Sequence, residues 1–360
     1  LIIAPWNFPF NLTIAPMVSA IAAGNCVVLK PSELTPNCEQ LIVRMIAELF
    51  PPEEITVITG GVEETTQLLE LKWNHIFFTG SPQVGKIVMK AASNHLTPVT
   101  LELGGKNPVI VDATANLKDT AQKLIWGKLL NNGQSCVSPN YVLVQTKIKA
   151  KLIVELKKEF AKMYGQTKEE IESNNALTRL VNNRHFKRIT SLIDNSIKQG
   201  ANVVIGNDTN SDDNYISPTI LDNITTNSAI FKDEIFGPVL PILEFQSMDE
   251  AISIINKEEA PLALYIFSSS RKNTKNIINN TSAGTTAINE TTIQFIHSNL
   301  PFGGNGHSGI GRSHGKYGFN AFSNERAILK QRKTFTTIKL IYPPTNKLKR
   351  FIVRFMTWRM

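Results

Sequence analysis

The sequence predicts an α/β protein whose parallel sheets are covered by helices on both faces. Three observations lead there. Short β-branched runs alternate with helical patterns along most of the 360 residues. The candidate strands are near-continuous apolar runs, not in-and-out alternations, as expected for strands buried on both faces. The length exceeds one ordinary domain of ~100–200 residues, so two domains are expected.

The strand candidates, in order, are NCVVLK (25–30), ITVIT (55–59), HIFFT (75–79), PVTLEL (98–103) and NPVIVD (107–112). After these come YVLVQ (141–145), ANVVI (201–205), GPVLPIL (237–243), LALYIF (262–267) and AGTTAI (283–288). Between them, stretches such as PNCEQLIVRMIAELF (36–50) and SMDEAISIINKE (247–258) carry a 3.6-residue period. The stretch GNDTNSDDN (206–214) is expected to be a polar surface loop. No internal repeat and no low-complexity linker is visible.

Composition narrows the function classes. The net charge is +8, but residues 331–360 hold eight Lys/Arg and no Asp or Glu, while the remainder carries thirty of each sign. The basicity belongs to a tail, and no nucleic-acid-binding body is indicated. Cys26, Cys38 and Cys136 fit neither a disulfide framework nor a metal-ligand spacing, so no metal is expected and a reducing, cytoplasmic compartment is. No apolar stretch of eighteen residues spans a membrane. The chain opens on Leu1-Ile2-Ile3 without a Met, and reads as a fragment whose N-terminus lies upstream.

Two loops imitate phosphate sites. Gly80, Gly85 and Lys86 match seven positions of the P-loop, but the eighth is Ile87, which has no hydroxyl for Mg²⁺. What remains is a strand ending at Gly80, a capping Ser81 and Pro82 in a first helical turn, which is an anion site by geometry or a plain turn. Gly304-x-Gly306-x-x-Gly309 matches the dinucleotide fingerprint, yet neither a strand before it nor a clean helix after it is expected. Cys136 lies in the turn-rich NNGQSCVSPN (131–140), so its thiol is placed on a loop where it could act as a nucleophile. Cys26 and Cys38 read as inert. Glu102 leaves a strand into Gly104-Gly105, a position open to a cleft or to a plain ion pair.

Taken in order, PWNFPF (5–10), GNCVVLKPSE (24–33), FTGSPQVG (78–85), LELGGKNP (101–108), GQSCVSP (133–139), EIFGPVLPI (234–242) and LPFGGNGHSG (300–309) resemble the NAD(P)-dependent aldehyde dehydrogenases. The resemblance covers residues 1 to about 330. NLTIAPMVSAIAAGN, LTPVTLELGGK and PLALYIFSS look most like the class 3 branch, which includes enzymes of aromatic and long-chain aliphatic aldehydes. In that branch the chain would lack roughly its first hundred residues. The resemblance implies a Rossmann-like cofactor domain over 1–103, an α/β catalytic domain over 104–315, and a C-terminal arm and tail over 316–360.

It also implies roles. Cys136 would attack the aldehyde to form a thiohemiacetal and then a thioester. The Asn7 side-chain amide and the Cys136 backbone N–H would hold the oxyanion, and Glu102 would be the base for hydrolysis. Gly80, Ser81, Pro82, Gln83, Val84 and Gly85 would form the cofactor loop, which departs from the usual Gly-Ser-Thr-Gly-Val-Gly in its middle. Lys30 and Glu33 would flank the adenosine ribose, Glu234 and Phe236 the nicotinamide ribose, and Phe302 would border the substrate tunnel. The cofactor is NAD or NADP: Glu33 would repel a 2′-phosphate and Lys30 attract one. The family suggests a homodimer.

Residues 346–360 place Leu348, Phe351, Ile352, Phe355 and Met356 on one helical face, with Lys347, Lys349, Arg350, Arg354 and Arg359 mostly opposite. This basic amphipathic pattern fits a membrane surface, or an arm packed on protein. The rivals to aldehyde oxidation are a CoA-acylating relative, which Glu102 argues against, a catalytically silent membrane-associated fragment, and a Cys–His hydrolase using His95 or His185, for which no partner signal is visible.

Overall fold

The computed structural model describes residues 1–334 and 336–358, and divides into two compact units, Leu1–Ser323 and Asn324–Met360. The first unit holds two large sheets. One has six strands in the order Gly309–Ile310, Val99–Leu103, Ile76–Gly80, Ile2–Ile3, Val27–Lys30, Ile55–Val57. All its pairings are parallel except that of Gly309–Ile310 with Val99–Leu103. The other has seven strands, ordered Thr285–Ile288, Ala263–Phe267, Pro108–Val111, Tyr141–Gln145, Val239–Phe245, Thr219–Asp222, Asn202–Ile205, antiparallel only at its last pair.

The continuous apolar runs are explained by the two faces of each sheet. In the seven-stranded sheet, Ile110, Leu143, Leu243 and Ile266 pack into one core, while their neighbours Val111, Val142, Ile242 and Phe267 pack into another. The six-stranded sheet does the same, with Ile3, Phe78 and Leu101 on one side and Ile2, Phe77 and Leu29 on the other. Successive side chains of a strand point to opposite faces, so burial of both leaves no polar alternate position. All ten predicted strands form, most of them shorter at one or both ends. The helices Pro36–Leu49 and Met248–Asn256 fall inside their predicted spans; the hydroxyl of Ser247 caps the second by accepting the Glu250 N–H at 3.3 Å.

Three elements differ from expectation. Ile2–Ile3 is a central strand, too short for a periodicity to register. Within the predicted loop 206–214, Thr209–Asn210 forms a small antiparallel ladder with Tyr215–Ile216. After the glycine fingerprint, where no clean helix is expected, the chain forms the strand Gly309–Ile310, whose pairing partner lies more than 200 residues upstream, and then the helix Gly315–Ala321.

The second unit contains a 3₁₀ turn, Thr337–Ile341, and the helix Lys347–Trp358. Leu348, Phe351, Val353, Phe355 and Trp358 are exposed and Ile352 is half-buried. The Lys349 ammonium donates to the carbonyl oxygens of Tyr342 at 2.5 Å and Pro344 at 3.2 Å. The side chain of Met356 and residue Arg359, both assigned above to this helix, lie outside what is described. Among the described residues no helix is long and apolar enough to cross a membrane.

The pairing of Gly309 with Glu102 fixes the strand that carries that carboxylate. Gly309 has φ +141°, and a Cβ there would run into the Leu101 carbonyl oxygen. Gly309→Ala is therefore expected to lower stability by ~1–3 kcal/mol, read as a shift in the urea unfolding midpoint. An unchanged midpoint would mean that the strand pair is not constrained in this way.

Candidate active site

Parallel strands place their carboxyl ends along one edge of a sheet, where ligands of open α/β folds bind. Lys30, Gly80 and Leu103 end three such strands in the six-stranded sheet. Beyond Gly80 the helix Pro82–Ser93 begins, with Ser81 Oγ accepting the Val84 N–H at 3.3 Å. The helix must approach the sheet closely here, since a Cβ on Gly85 would meet the Leu103 side chain at 2.7 Å. Thr79 Oγ1, one residue before the turn, is buried without a hydrogen-bond partner. Buried hydroxyls are ordinarily paired, so this donor and acceptor at the strand end is free to meet a ligand.

Lys30 is buried; its ammonium donates to the Pro31 carbonyl at 2.7 Å and lies 3.8 Å from Glu33. Burial lowers its pKa, and Glu33, Glu39 and Glu64 pull it back up. Glu234, after the helix Ala229–Lys232, accepts the Gly105 N–H and abuts Gly104, where no Cβ could fit beside its carboxylate. Desolvation pushes its pKa up to about 7, against the pull of Arg188 and Lys128. Phe236 has φ +49° and sits edge-on to Trp6, with ring centroids 5.5 Å apart. These groups make a turn with a free helix end and a cleft carboxylate held by backbone, which together suit a dinucleotide.

Cys136 follows a backbone that turns through three left-handed residues, Asn131, Asn132 and Gly133. Asparagine and glycine tolerate that region best, which is why the stretch is rich in them. The turn is pinned from several sides. Gln134 Nε2 donates to the Arg179 carbonyl at 3.1 Å while its Oε1 accepts the Val181 N–H at 3.0 Å. Asn7 Nδ2 donates to the Gln134 carbonyl at 3.1 Å, and Asn131 Nδ2 donates to the Asn7 carbonyl at 2.8 Å. The second Asn7 amide hydrogen is left for another acceptor.

Past the turn, the Cys136 side chain is half-buried beside Phe295 and the buried Val137, Leu262 and Phe302. Burial raises the thiol pKa, and the carboxylates of Glu102 and Glu234 raise it further. The backbone N–H groups of Cys136 and Val137 act the other way. Glu102 is only 5% exposed, and desolvation lifts its pKa to about 7 although Ser313 Oγ donates a hydrogen bond to it. Glu102, Phe295, Ser313 and His314 line a cavity of about 350 Å³; Cys136 is not in its lining, and its link to Glu102 is electrostatic.

Thus Asn7, Glu102, Cys136, Glu234 and Phe302 converge around one region, and Lys30, Glu33 and the Gly80–Gly85 turn lie at the strand ends of the six-stranded sheet. Four residues escaped the sequence reading. Lys128 is buried, donates to the Pro139 carbonyl at 2.9 Å and has its pKa lowered to about 7 by desolvation, with Glu234 raising it. Its only sequence signal was a lysine on a helical stretch. Ser313 and His314 lay in a segment that looked structureless. Asn107 stood inside a quoted motif without a role: its Nδ2 donates to the carbonyls of Cys136 at 2.7 Å and Ser138 at 2.9 Å, and its Oδ1 accepts the Ala263 N–H at 2.9 Å. Among the described residues no cluster could hold a metal ion.

Asn107→Ala leaves those buried partners unmet, and is expected to cost ~2–4 kcal/mol of stability and to loosen the cysteine turn. Thermal melts and the rate of Cys136 alkylation check this: a normal melt with unchanged alkylation would refute the clamp.

The family model for the aldehyde dehydrogenase family matches residues 1–328. A 4,4'-diaponeurosporen-aldehyde dehydrogenase of Staphylococcus aureus is 49% identical over 91% of this chain and 70% of its own length. The mouse aldehyde dehydrogenase named dimeric and NADP-preferring is 45% identical over 96% and 75%, and family 3 member A2 of Pongo abelii is 43% identical over 97% and 70%. Among solved structures, the substrate-bound state of Staphylococcus aureus AldH superposes with a TM-score of 0.92 at 46% identity, covering 98% of this chain and 76% of that one. The chain belongs to the aldehyde dehydrogenase family.

Proposed function

We propose that the chain oxidises an aromatic or medium- to long-chain aliphatic aldehyde to its carboxylic acid with NAD or NADP, through a thiohemiacetal and a thioester on Cys136. The observation that carries this reading is the pairing of a loop thiol with a buried carboxylate, Glu102, whose pKa of about 7 suits a base working near neutrality.

Cys136 first gives its thiol proton to water; the thiolate sulfur then bonds to the aldehyde carbon as the C=O π pair moves onto the oxygen, which becomes the oxyanion. The free amide hydrogen of Asn7 and the backbone N–H of Cys136 are donors for it. Neither group titrates, so the hole stays donor-only at every working pH. The Gly80–Gly85 turn, Thr79, Lys30, Glu33, Glu234 and Phe236 would hold the dinucleotide. When bound, it supplies the two-electron acceptor for the aldehyde carbon. Glu102 takes a proton from the water that cleaves the thioester, a step that a thiol acceptor such as CoA would not need. The acidic residues around Lys30 oppose a 2′-phosphate, which supports NAD over NADP. Phe295, Phe302, Val137 and Leu262 beside the thiol support an apolar aldehyde, and the Staphylococcus aureus relative is named for 4,4'-diaponeurosporen-aldehyde.

A burst assay tests the mechanism, run with each cofactor. Cys136→Ala should give no NADH from any aldehyde. Glu102→Gln should release about one NADH per chain and then turn over roughly 10²–10⁴ times more slowly than the parent. In the parent, thioester hydrolysis should rise about tenfold per pH unit below pH 7 and level off above it, as Glu102 ionises. Undiminished turnover by Glu102→Gln would remove the base.

A second reading concerns the helix Lys347–Trp358, whose exposed aromatic and aliphatic residues alternate with basic ones. We read it as a contact for anionic membrane surfaces. Co-sedimentation with phosphatidylserine vesicles should fall at high salt and vanish when residues 345–360 are removed. Equal binding with and without the tail would eliminate this role.

A further inference from the structure

Glu102 must give up the proton it collects before the next turnover, yet it is 5% exposed. Its carboxylate is met by one hydroxyl, Ser313 Oγ, which donates to Oε1. The same Oγ lies 3.0 Å from Nδ1 of His314. Three polar groups therefore form an unbroken row, and the last of them, half-buried, lines the 350 Å³ cavity together with the first two.

The row is held in place by its surroundings. His314 has φ +74°, a conformation that a non-glycine residue adopts only when its neighbours impose it. The ring is fixed edge-on against Phe302 and Phe295, with centroids 5.0 and 5.3 Å away. Ser313 is buried and locked by reciprocal backbone hydrogen bonds with Phe302. The ionisable group on the facing strand is Glu102, and burial is the cause that lowers the His314 pKa.

We propose that Ser313 and His314 carry the proton gained by Glu102 out of the buried site, an inference that rests on Glu102 being the hydrolytic base. With Glu102 ionised, the single Ser313 O–H points to the carboxylate, so Nδ1–H of His314 donates to Ser313 Oγ. After Glu102 has taken a proton from water, the two bonds reverse. The carboxyl O–H donates to Oγ, and the Ser313 O–H donates to Nδ1 of the Nε2–H tautomer. One proton leaves the carboxyl and another arrives at Nδ1; the hydroxyl keeps one throughout and no electrons move between centres. The imidazolium then loses its Nε2 proton to water and returns to the Nδ1–H form. The change from the Nδ1–H to the Nε2–H tautomer that must precede the reversal of the two bonds is made by exchange with cavity water, which adds a proton at Nε2 and removes the one at Nδ1. A depressed imidazole pKa helps the last transfer, because the proton is not retained there. Both residues act through Glu102, as positioning residues for its proton, and do not touch the aldehyde.

The experiment follows decay of the Cys136 acyl thioester after rapid quench, by mass spectrometry, in the full chain. His314→Phe keeps an aromatic ring against Phe295 and Phe302 but cannot carry a proton, and Ser313→Ala breaks the row. Both should acylate with a burst of about one NADH per chain and lose at least about tenfold in thioester decay at pH 7. Ser313→Thr should recover most of that loss. Millimolar imidazole should accelerate His314→Gly and leave the parent unchanged. Parent-like thioester decay in His314→Phe would overturn the relay, and so would a joint loss of burst and turnover that neither threonine nor imidazole repairs. Glu102→Gln run alongside separates the two readings: if it too decays at the parent rate, the base itself is misassigned.

Discussion

One side-chain amide holds the site together. Asn107 ties the carbonyls on either side of Val137 to the first residue of the strand Ala263–Phe267, and so joins the cysteine turn to the seven-stranded sheet. The residue is 1% exposed, and two of the three side-chain hydrogen bonds, to the Ser138 carbonyl and from the Ala263 N–H, are fully buried. Unmet polar groups there would each cost ~1–3 kcal/mol, so the turn has little freedom to move the sulfur. Tyr265 adds a second tie from the same strand, donating to the Val137 carbonyl at 2.5 Å. The nucleophile proposed above has to meet a substrate carbon and an oxyanion donor at once and needs such a fixed backbone, because small misplacements erode rate steeply.

Against that rigid frame, the electrostatics are arranged at a cost to the fold. Raising the Glu102 pKa from 4.5 to about 7 means that the folded chain binds its proton more tightly than the unfolded chain does. Stability from this group is full below pH 4.5 and is lost as pH rises through 7, for a penalty of about 3 kcal/mol near neutrality. Glu234 shifts the same way, and Lys128 shifts down toward it. Three desolvated ionisable groups near one cysteine are hard to explain as packing; strain of this kind collects at working sites. The apolar cores on both faces of each sheet supply the offset.

The legibility of these features in the sequence follows from how local each one is. Strands buried on both faces announce themselves as apolar runs, so the Tyr141–Gln145 strand was readable to the residue. Cys136 stood out because left-handed turns demand asparagine and glycine, and Glu102 because a strand ends just after it. The six-stranded sheet was less readable at both extremes: Ile2–Ile3 is too short for a pattern, and Gly309–Ile310 is a strand only because Leu101 and Glu102 pair with it. Lys128 gave no sign of burial, since a helical lysine is ordinarily solvated. Ser313 and His314 became visible only in three dimensions, where a return of the chain brings a hydroxyl to a carboxylate 211 residues away. Short motifs report chemistry held within a turn; contacts between distant segments leave no local trace.

That antiparallel edge has a bearing on how the polypeptide matures. A ribosome delivers Val99–Leu103 long before Gly309–Ile310, so the bonding groups along one side of the earlier strand stay open while some two hundred residues are still being made. Open edges invite pairing with the wrong chain. Among the described residues the cover is the two-residue clip Gly309–Ile310, which closes late and seals the sheet and the carboxylate in a single stroke. Completion of the pocket around Glu102 thereby waits for residue 310, and a nascent chain halted before residue 309 would carry a sticky border in place of a finished one.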